Sequence, residues 1–297
     1  MSDAQSRPDP YGEGGRELDE QESSRRVITL LSDFGTDDNS VAVMKGVIFG
    51  VNPEVQIVDI SHAIDPYNIE VGADVLAMAY HYFPKGTIHV AVVDPGVGGD
   101  RRGILVATEN YLFVGPDNGI FSHIYEDPAY LWVRDLRAVD FFLEKISSTF
   151  HGRDVFAPVA GYLSIGEDPE DFGPVIDDPV KLEISDCQVR PGGGIDGEVV
   201  YVDRFCNLIT NIDTGAFWDG ESLAGEDEGT LIPTIEIAGM TIRGLSEFYR
   251  EAEKGLCGAH FNSWSRLEIF LPEGRAADEL GAGRGTPVKV RFQLNRS

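Results

Sequence analysis

Val90-Ala-Val-Val-Asp-Pro-Gly-Val-Gly-Gly-Asp-Arg-Arg102 decides how the rest of the chain is read. The apolar run 90–93 reads as a buried strand that ends in a carboxylate, Asp94. Pro95 and Gly96 follow at once, stopping the strand and letting the backbone come close to a ligand. Seven residues beyond Asp94, Arg101 can fold back over the turn. In α/β folds the carboxyl ends of the strands are where ligands sit. A carboxylate and a guanidinium at that edge are therefore site candidates, with a surface salt bridge as the open alternative.

Upstream, 27–31 (Val-Ile-Thr-Leu-Leu) reads as a buried strand running into Ser32-Asp-Phe-Gly-Thr-Asp-Asp38. A helix follows with Val41, Met44, Val47 and Ile48 on its inner side. A second strand over 55–60 precedes a helix over 69–83, in which Ala73, Leu76, Ala77 and Tyr80 fall at helical spacing. Strand, helix, strand, helix, strand predicts a largely parallel α/β sheet. Further strands are expected at 104–107, 111–115 and 130–133, and a helix beginning near Asp154 and carrying Val155, Phe156, Val159, Ala160 and Leu163. The acidic, Pro-rich stretch 166–179 reads as a linker. Beyond it, short strands at 197–202, 207–212, 235–238, 267–271 and 288–292 predict a smaller, mostly antiparallel, barrel-like β domain. Residues 1–26 lack hydrophobic periodicity and read as a disordered acidic tail; 219–230 reads as an exposed acidic loop. The expected division is thus a tail (1–26), an α/β domain (27–170), a linker (171–179) and a β domain (180–297).

The chain has 297 residues, 42% of them hydrophobic, enough for a proper core. No apolar run approaches the roughly 18–20 residues that cross a bilayer, and the N-terminus lacks the order of a signal peptide. Fifty acidic residues against 24 basic ones leave a formal charge of -26, which argues against nucleic acid and anionic lipid as partners. Only 6 of the cations are lysine. An acidic, lysine-poor surface suits a salt-rich solution, where screening shortens self-repulsion to about 3 Å at 1 M, so a halophilic source is expected, with a functional acidic surface as the alternative. Cys187, Cys206 and Cys257 have neither metal-ligand nor redox-motif spacing. They read as reduced thiols in a cytoplasmic protein.

Polar groups cluster where strands or loops end: Ser32–Gly35, Asp94, Pro116–Gly119 and Thr149–Asp154. His151, in a loop among Gly, Arg and Asp, is the strongest acid–base or water-orienting candidate. The other histidines show no zinc-motif spacing. Asp33, Asp37 and Asp38 leave a hard divalent cation as an open alternative. No glycine-rich phosphate loop is present.

Five ordered motifs, SDFGTDD (32–38), VDPGVGGDRR (93–102), VGPDNG (114–119), TFHGRDVFAPVAG (149–161) and YVDRFCNLITNI (201–212), together resemble the S-adenosylmethionine hydroxide adenosyltransferases, relatives of fluorinase and of the S-adenosylmethionine-dependent chlorinase. The resemblance runs from about residue 27 to the C-terminus. It implies a two-domain subunit, a homotrimer with sites between one subunit's N-terminal and its neighbour's C-terminal domain, and hydrolysis of S-adenosylmethionine to adenosine and L-methionine without cofactor or metal. By motif, it makes Asp94, Arg101 and His151 the water-activating set and Asp33 the grip on the ribose hydroxyls. Tyr67 falls near the substrate, with Phe150 and Gly152 flanking the reacting carbon. Asp203 is implied for the methionine ammonium, Phe205 and Asn207 for adenine, Ser263 and Trp264 for the amino-acid end, and Arg275 and Ala276 for backbone contacts to adenine. Two departures stand out: Cys206 where the family more often has Gly, and Ser265-Arg266 where Gly-Tyr is usual. Rival readings are a halogenase on the same scaffold, a metal-dependent nucleotide phosphatase, and a ligand sensor without turnover.

Overall fold

The computed structural model describes residues 26–224 and 231–294. The expected tail, apart from Arg26, and residues 225–230 of the expected acidic loop lie outside them. The first half forms a seven-stranded sheet of β1 (Val27–Ser32), β2 (Gln56–Ser61), β3 (Ile88–Val92), β4 (Gly103–Thr108), β5 (Leu112–Pro116), β6 (Tyr130–Asp135) and β7 (Val175–Ile176), in the order β2-β1-β3-β5-β4-β6-β7. The pairings β1–β2, β1–β3 and β3–β5 are parallel; those of β4 and β6 are antiparallel.

Both faces of this sheet are covered, which is why its strands read as unbroken apolar runs rather than alternations. Ile28, Leu30, Val90 and Val92 point to one side and pack with Met44 and Ile48 of α1 (Ser40–Val51) and with Val159 and Leu163 of α4 (Ala157–Ile165). Leu31, Ala91 and Val93 point to the other, against Leu76 of α2 (Ile69–Ala79) and Ile124 of the short α3 (Ser122–Tyr125). Helix α2 stops at Ala79 and continues as a tighter turn, Tyr80–Tyr82, so it is shorter than its periodicity suggested.

Two readings of the connecting segment change. Phe172, inside the stretch read as a linker, is fully buried in the N-terminal core, and Val175–Ile176 add β7 to the sheet. The chain after it is tied down as well. Arg102 holds Asp117 (2.8 Å) and Asp178 (2.7 Å), and Asp117 accepts from Val180 N at 2.8 Å. The Pro116–Gly119 turn, a candidate site group by sequence, is thus the anchor of this connection.

The second half is antiparallel: β8 (Gln188–Val189), β9 (Ile195–Val202), β10 (Leu208–Asp213), β11 (Leu231–Ile237), β12 (Met240–Arg243), β13 (Gly258–Phe261), β14 (Arg266–Phe270) and β15 (Pro287–Leu294), ordered β12-β11-β15-β9-β10-β14-β13 with β8 on β9. Ser246 N, just beyond β12, donates to Ala259 O of β13 at 2.8 Å, bringing the two edges together into a nearly closed barrel. Residues 219–224, expected in an exposed loop, instead finish helix α5 (Thr214–Ala224), whose Phe217 is buried in the barrel core. A short helix, α6 (Ala276–Leu280), precedes β15.

Candidate active site

Strand order reverses at β1, which lies between β2 and β3, and such a switch opens a crevice at the carboxyl ends of the strands. Ser32 pairs with Val92 there, so Asp33 and Asp94 leave neighbouring strands at one rim. Asp33 Oδ2 accepts the backbone N–H of Tyr67 at 2.8 Å. Tyr67 has φ +69° and stands 72% exposed at the mouth of the crevice. Phe34 meets the edge of Phe150 with centroids 5.6 Å apart. Gly152 lies beneath, where a Cβ would come within 3.2–3.4 Å of Met44 Sδ, Phe150 and Phe34. Behind Asp33, Ser32 Oγ bonds His62 Nδ1 at 2.7 Å and His62 Nε2 lies 3.1 Å from Asp59. This has the order of a hydrolytic triad, but Ser32 is fully buried, so the Ser32–His62 bond braces the Asp33 loop.

Arg101 does fold back over the turn. Its Nε donates to Asp94 Oδ1 at 2.9 Å and its Nη2 to Oδ2, a two-pronged pairing in which both side chains are largely buried. The same Nη2 lies 2.9 Å from His151 Nδ1, and the guanidinium sits 5.4 Å from the centre of the Phe156 ring. A guanidinium only donates. Nδ1 of His151 is therefore the acceptor, and the neutral ring carries its proton on Nε2. Burial, and then the Arg101 charge, hold the imidazole below its ordinary pKa, against smaller opposing effects of Asp94 and Asp154. Asp94, Arg101 and His151 thus form one bonded chain, with a neutral imidazole presenting an N–H donor.

Two features that the sequence did not reveal aim these loops. Asp154, read as a helix cap, is completely buried within a π-helical turn, Gly152–Phe156, that begins two residues earlier. Its carboxylate accepts Ser147 N at 2.7 Å and Arg153 Nε at 2.6 Å, closing the loop that carries Phe150 and His151. Gly98 has φ +77°, and a Cβ there would fall 2.0 Å from Ser148 O. This close approach presses the Asp94–Arg101 loop against the His151 loop. Gly98→Ala should lower stability by about 2 kcal/mol or more through strain and overpacking, and should depress turnover further than the melting temperature alone explains. Thermal unfolding and kinetics on the same preparation check both.

The remaining candidates lie on the barrel. Asp203 to Asn207 form the β9–β10 turn, where Asn207 N and Nδ2 donate to the Asp203 carboxylate at 2.8 and 3.1 Å. Burial is the main reason that the Asp203 carboxyl titrates above its ordinary range. Phe205 is 74% exposed on the tip of this turn. Ala277 N donates to Cys206 O at 2.9 Å, bringing Arg275 and the buried Ala276 to the same place. Ser263 and Trp264 sit on a separate turn, between β13 and β14. Cys206 (φ +63°) and Ser265 (φ +59°), the two expected departures, both adopt left-handed backbone, the conformation that glycine enters most easily. Among the described residues no hydrogen bond or ion pair joins the barrel candidates to the Asp94–Arg101–His151 chain.

The cation alternative finds no donor set. Asp38 accepts Ser40 N at 2.8 Å at the start of α1, and the described residues contain no group of three or more His, Cys, Asp or Glu suited to a metal ion. No helix among the described residues is long and apolar enough to cross a membrane.

Residues 28–173 match the model of the SAM hydroxide adenosyltransferase N-terminal domain, and residues 197–289 that of the C-terminal domain. The chain is 33% identical over 282 residues to the (R)-S-adenosyl-L-methionine hydrolase of Thermus thermophilus, covering 89% of this chain and 99% of that protein. With the hydrolase of the same name from Methanocaldococcus jannaschii it shares 41% identity over 191 residues, 63% of this chain and 66% of the relative. Fluorinases match more distantly, that of Actinopolyspora mzabensis at 26% identity. A solved structure of an uncharacterized conserved protein from Thermotoga maritima superposes with a TM-score of 0.81 at 30% identity, covering 89% of this chain and 99% of the other. Two domain models in the right order, and the match to the Thermus thermophilus relative over nearly its whole length, lead to one conclusion: this chain belongs to the SAM hydroxide adenosyltransferase family.

Proposed function

We propose that this protein hydrolyses S-adenosyl-L-methionine to adenosine and L-methionine, with water attacking the 5′ carbon. The observation that carries this reading is the bonded chain Asp94–Arg101–His151, with the imidazole neutral and its Nε2–H free to meet an oxygen. A water oxygen forms the bond to C5′ while the C5′–S bond breaks, its electron pair leaving with methionine as a neutral thioether. The Arg101 cation and the Nε2–H favour hydroxide over water. Asp94, with both oxygens on Arg101, orients the guanidinium, and the proton that the water loses passes to solvent. A hydroxide and a sulfonium annihilate charge as they react, so shielding both from bulk water assists the step. Holding the oxygen in line at about 3–3.5 Å supplies the larger part of the effect.

The other residues take the parts that their chemistry suits. Asp33 can accept two parallel hydroxyl bonds from the ribose diol. Phe150 and the space left by Gly152 flank the reacting carbon, and Tyr67 faces the substrate. Asp203 meets the ammonium, Phe205 and Asn207 the adenine, Ser263 and Trp264 the amino-acid end, and the Arg275–Ala276 backbone the adenine edge. The two sets of candidates lie unconnected within one chain, and Tyr67 and Phe205 stand exposed. Both facts favour a homotrimer in which one subunit's α/β domain and a neighbour's β domain complete each site across subunits. The reaction needs no cofactor, and the reduced thiols suit the cytoplasm.

Incubation with S-adenosylmethionine, in chloride-free buffer and in molar chloride, tests the reading. Adenosine and methionine are expected in equal amounts in both. A 5′-chlorinated nucleoside would make the protein a halogenase; bound ligand without product would make it a sensor.

A further inference from the structure

A carboxylate that the proposed reaction does not use is buried on the barrel wall, on the face opposite the apolar core that Leu267 and Ile269 enter. Glu268, on β14, is 2% exposed. Its Oε1 accepts the Tyr249 hydroxyl at 2.9 Å and faces His260 Nε2 at 3.5 Å; its Oε2 accepts Asn262 Nδ2 at 3.1 Å. These groups come from the turn Tyr249–Glu251, from β13 and from the β13–β14 turn. An uncompensated buried carboxylate is costly. Here burial pushes the Glu268 carboxyl up, but the facing His260 ring and the hydrogen bonds from Tyr249 and Asn262 outweigh it and hold the group below its ordinary range. Glu268 is therefore a fixed negative charge.

A merely structural acid would end there, but Asn262 carries the connection on. Its Oδ1 accepts Trp264 N at 3.0 Å and Arg266 N at 3.2 Å. One side-chain amide thus joins Glu268 to the turn that presents Ser263 and Trp264. Asp203 lies within reach of the same charge: after burial, Glu268 is among the causes that raise its carboxyl. The groups facing Asp203 are Asn207, Tyr201, Tyr249 and Glu268.

Resting on the hydrolase reading above, we propose that Glu268 is a positioning residue for the amino-acid end of S-adenosylmethionine, aiming the Ser263–Trp264 turn through Asn262 and adding a buried negative charge within reach of Asp203. Such a charge favours a cationic substrate and does nothing for neutral adenosine, so it separates substrate from product.

Glu268→Gln keeps the shape and removes the charge. It should raise KM for S-adenosylmethionine about tenfold, the scale of a lost charge-assisted bond, while kcat and the Kd of adenosine stay within about twofold. The acidic limb of kcat/KM should move to lower pH, because Asp203 ionises more easily without a negative neighbour. Tyr249→Phe, which removes one donor, should give a smaller change in the same direction and decides the matter if Glu268→Gln does not fold. Equal losses of S-adenosylmethionine and adenosine affinity, or an unchanged KM in folded variants, overturn the proposal. A wild-type protein that does not turn over S-adenosylmethionine overturns the hydrolase reading instead.

Discussion

Arg101→Ala should lower kcat for S-adenosylmethionine about 100- to 1,000-fold, the usual scale for removing one preorganised electrostatic group, with KM little changed. The guanidinium does two things at once: it neutralises Asp94, and it fixes the imidazole tautomer by donating to Nδ1. Without it Asp94 is a buried carboxylate with no partner cation, and His151 is free to place its proton on either nitrogen. The imidazole should then titrate higher, because the Arg101 charge now helps to hold it down. A ring titration of His151 by NMR, beside the kinetics, separates this from general damage. His151→Ala should cost about 100- to 10,000-fold in kcat with the melting temperature little changed. Lysine at 101 should restore little, since it lacks the planar fork that serves two acceptors. Wild-type turnover in either alanine variant would remove the roles assigned here.

Acid should destabilise the protein through His89. This ring is completely buried on β3, stacks on Phe113 at 5.1 Å and bonds Thr29 Oγ1 at 2.7 Å through Nδ1. Burial pushes its pKa down to about 3. The unfolded chain takes up the proton near pH 6.5, so the stabilising effect is whole above that value and fades as pH falls toward 3. Between about pH 7 and pH 4 the loss should be about 3 kcal/mol. Denaturant unfolding across that range, compared with His89→Gln, reads it directly: the variant should start less stable and lose less. Parallel curves for the two proteins would show that His89 is not the group that titrates. Asp94 ends the segment that follows β3, so loss of this strand's packing takes the site with it.

The α/β half was legible because its residues repeat simply. Val27–Leu31 and Val90–Val93 are apolar on both faces, and the flanking helices keep their inner residues at three and four. Asp94, Arg101 and His151 could be singled out because Asp94 ends a strand and the other two lie close to glycine in strongly polar loops. What stayed hidden depends on contacts distant in sequence. Gly220 and the acidic residues around it look like a loop, yet a Cβ at Gly220 would come 2.8 Å from Gly193 O; the glycine is there to let α5 approach the barrel. Phe172 sits among Asp, Glu and Pro and reads as linker, although its ring fills the N-terminal core. Glu268 alternates with Leu267 and Ile269 as a solvent-facing strand residue would, and it does point away from the core they fill; only the three groups that cover it make it buried. Asp154 resembles a cap because carboxylates usually occupy helix starts, whereas here it pins the preceding loop.

The helical turn at Gly152–Phe156 has a consequence for how this site can change over generations. A π turn holds one residue more than an α turn, and such turns are uncommon except at working sites. Excising a single residue there would turn it into an ordinary helical turn and leave the flanking segments nearly in register, because the extra residue is what the wider turn accommodates. What would be lost is a residue that shapes the loop: Gly152, which leaves room beside Phe150 and Phe34, or Asp154, which holds Ser147. Descendants of this chain can thus exchange side chains around the crevice, but shortening this turn takes away part of what aims its loop.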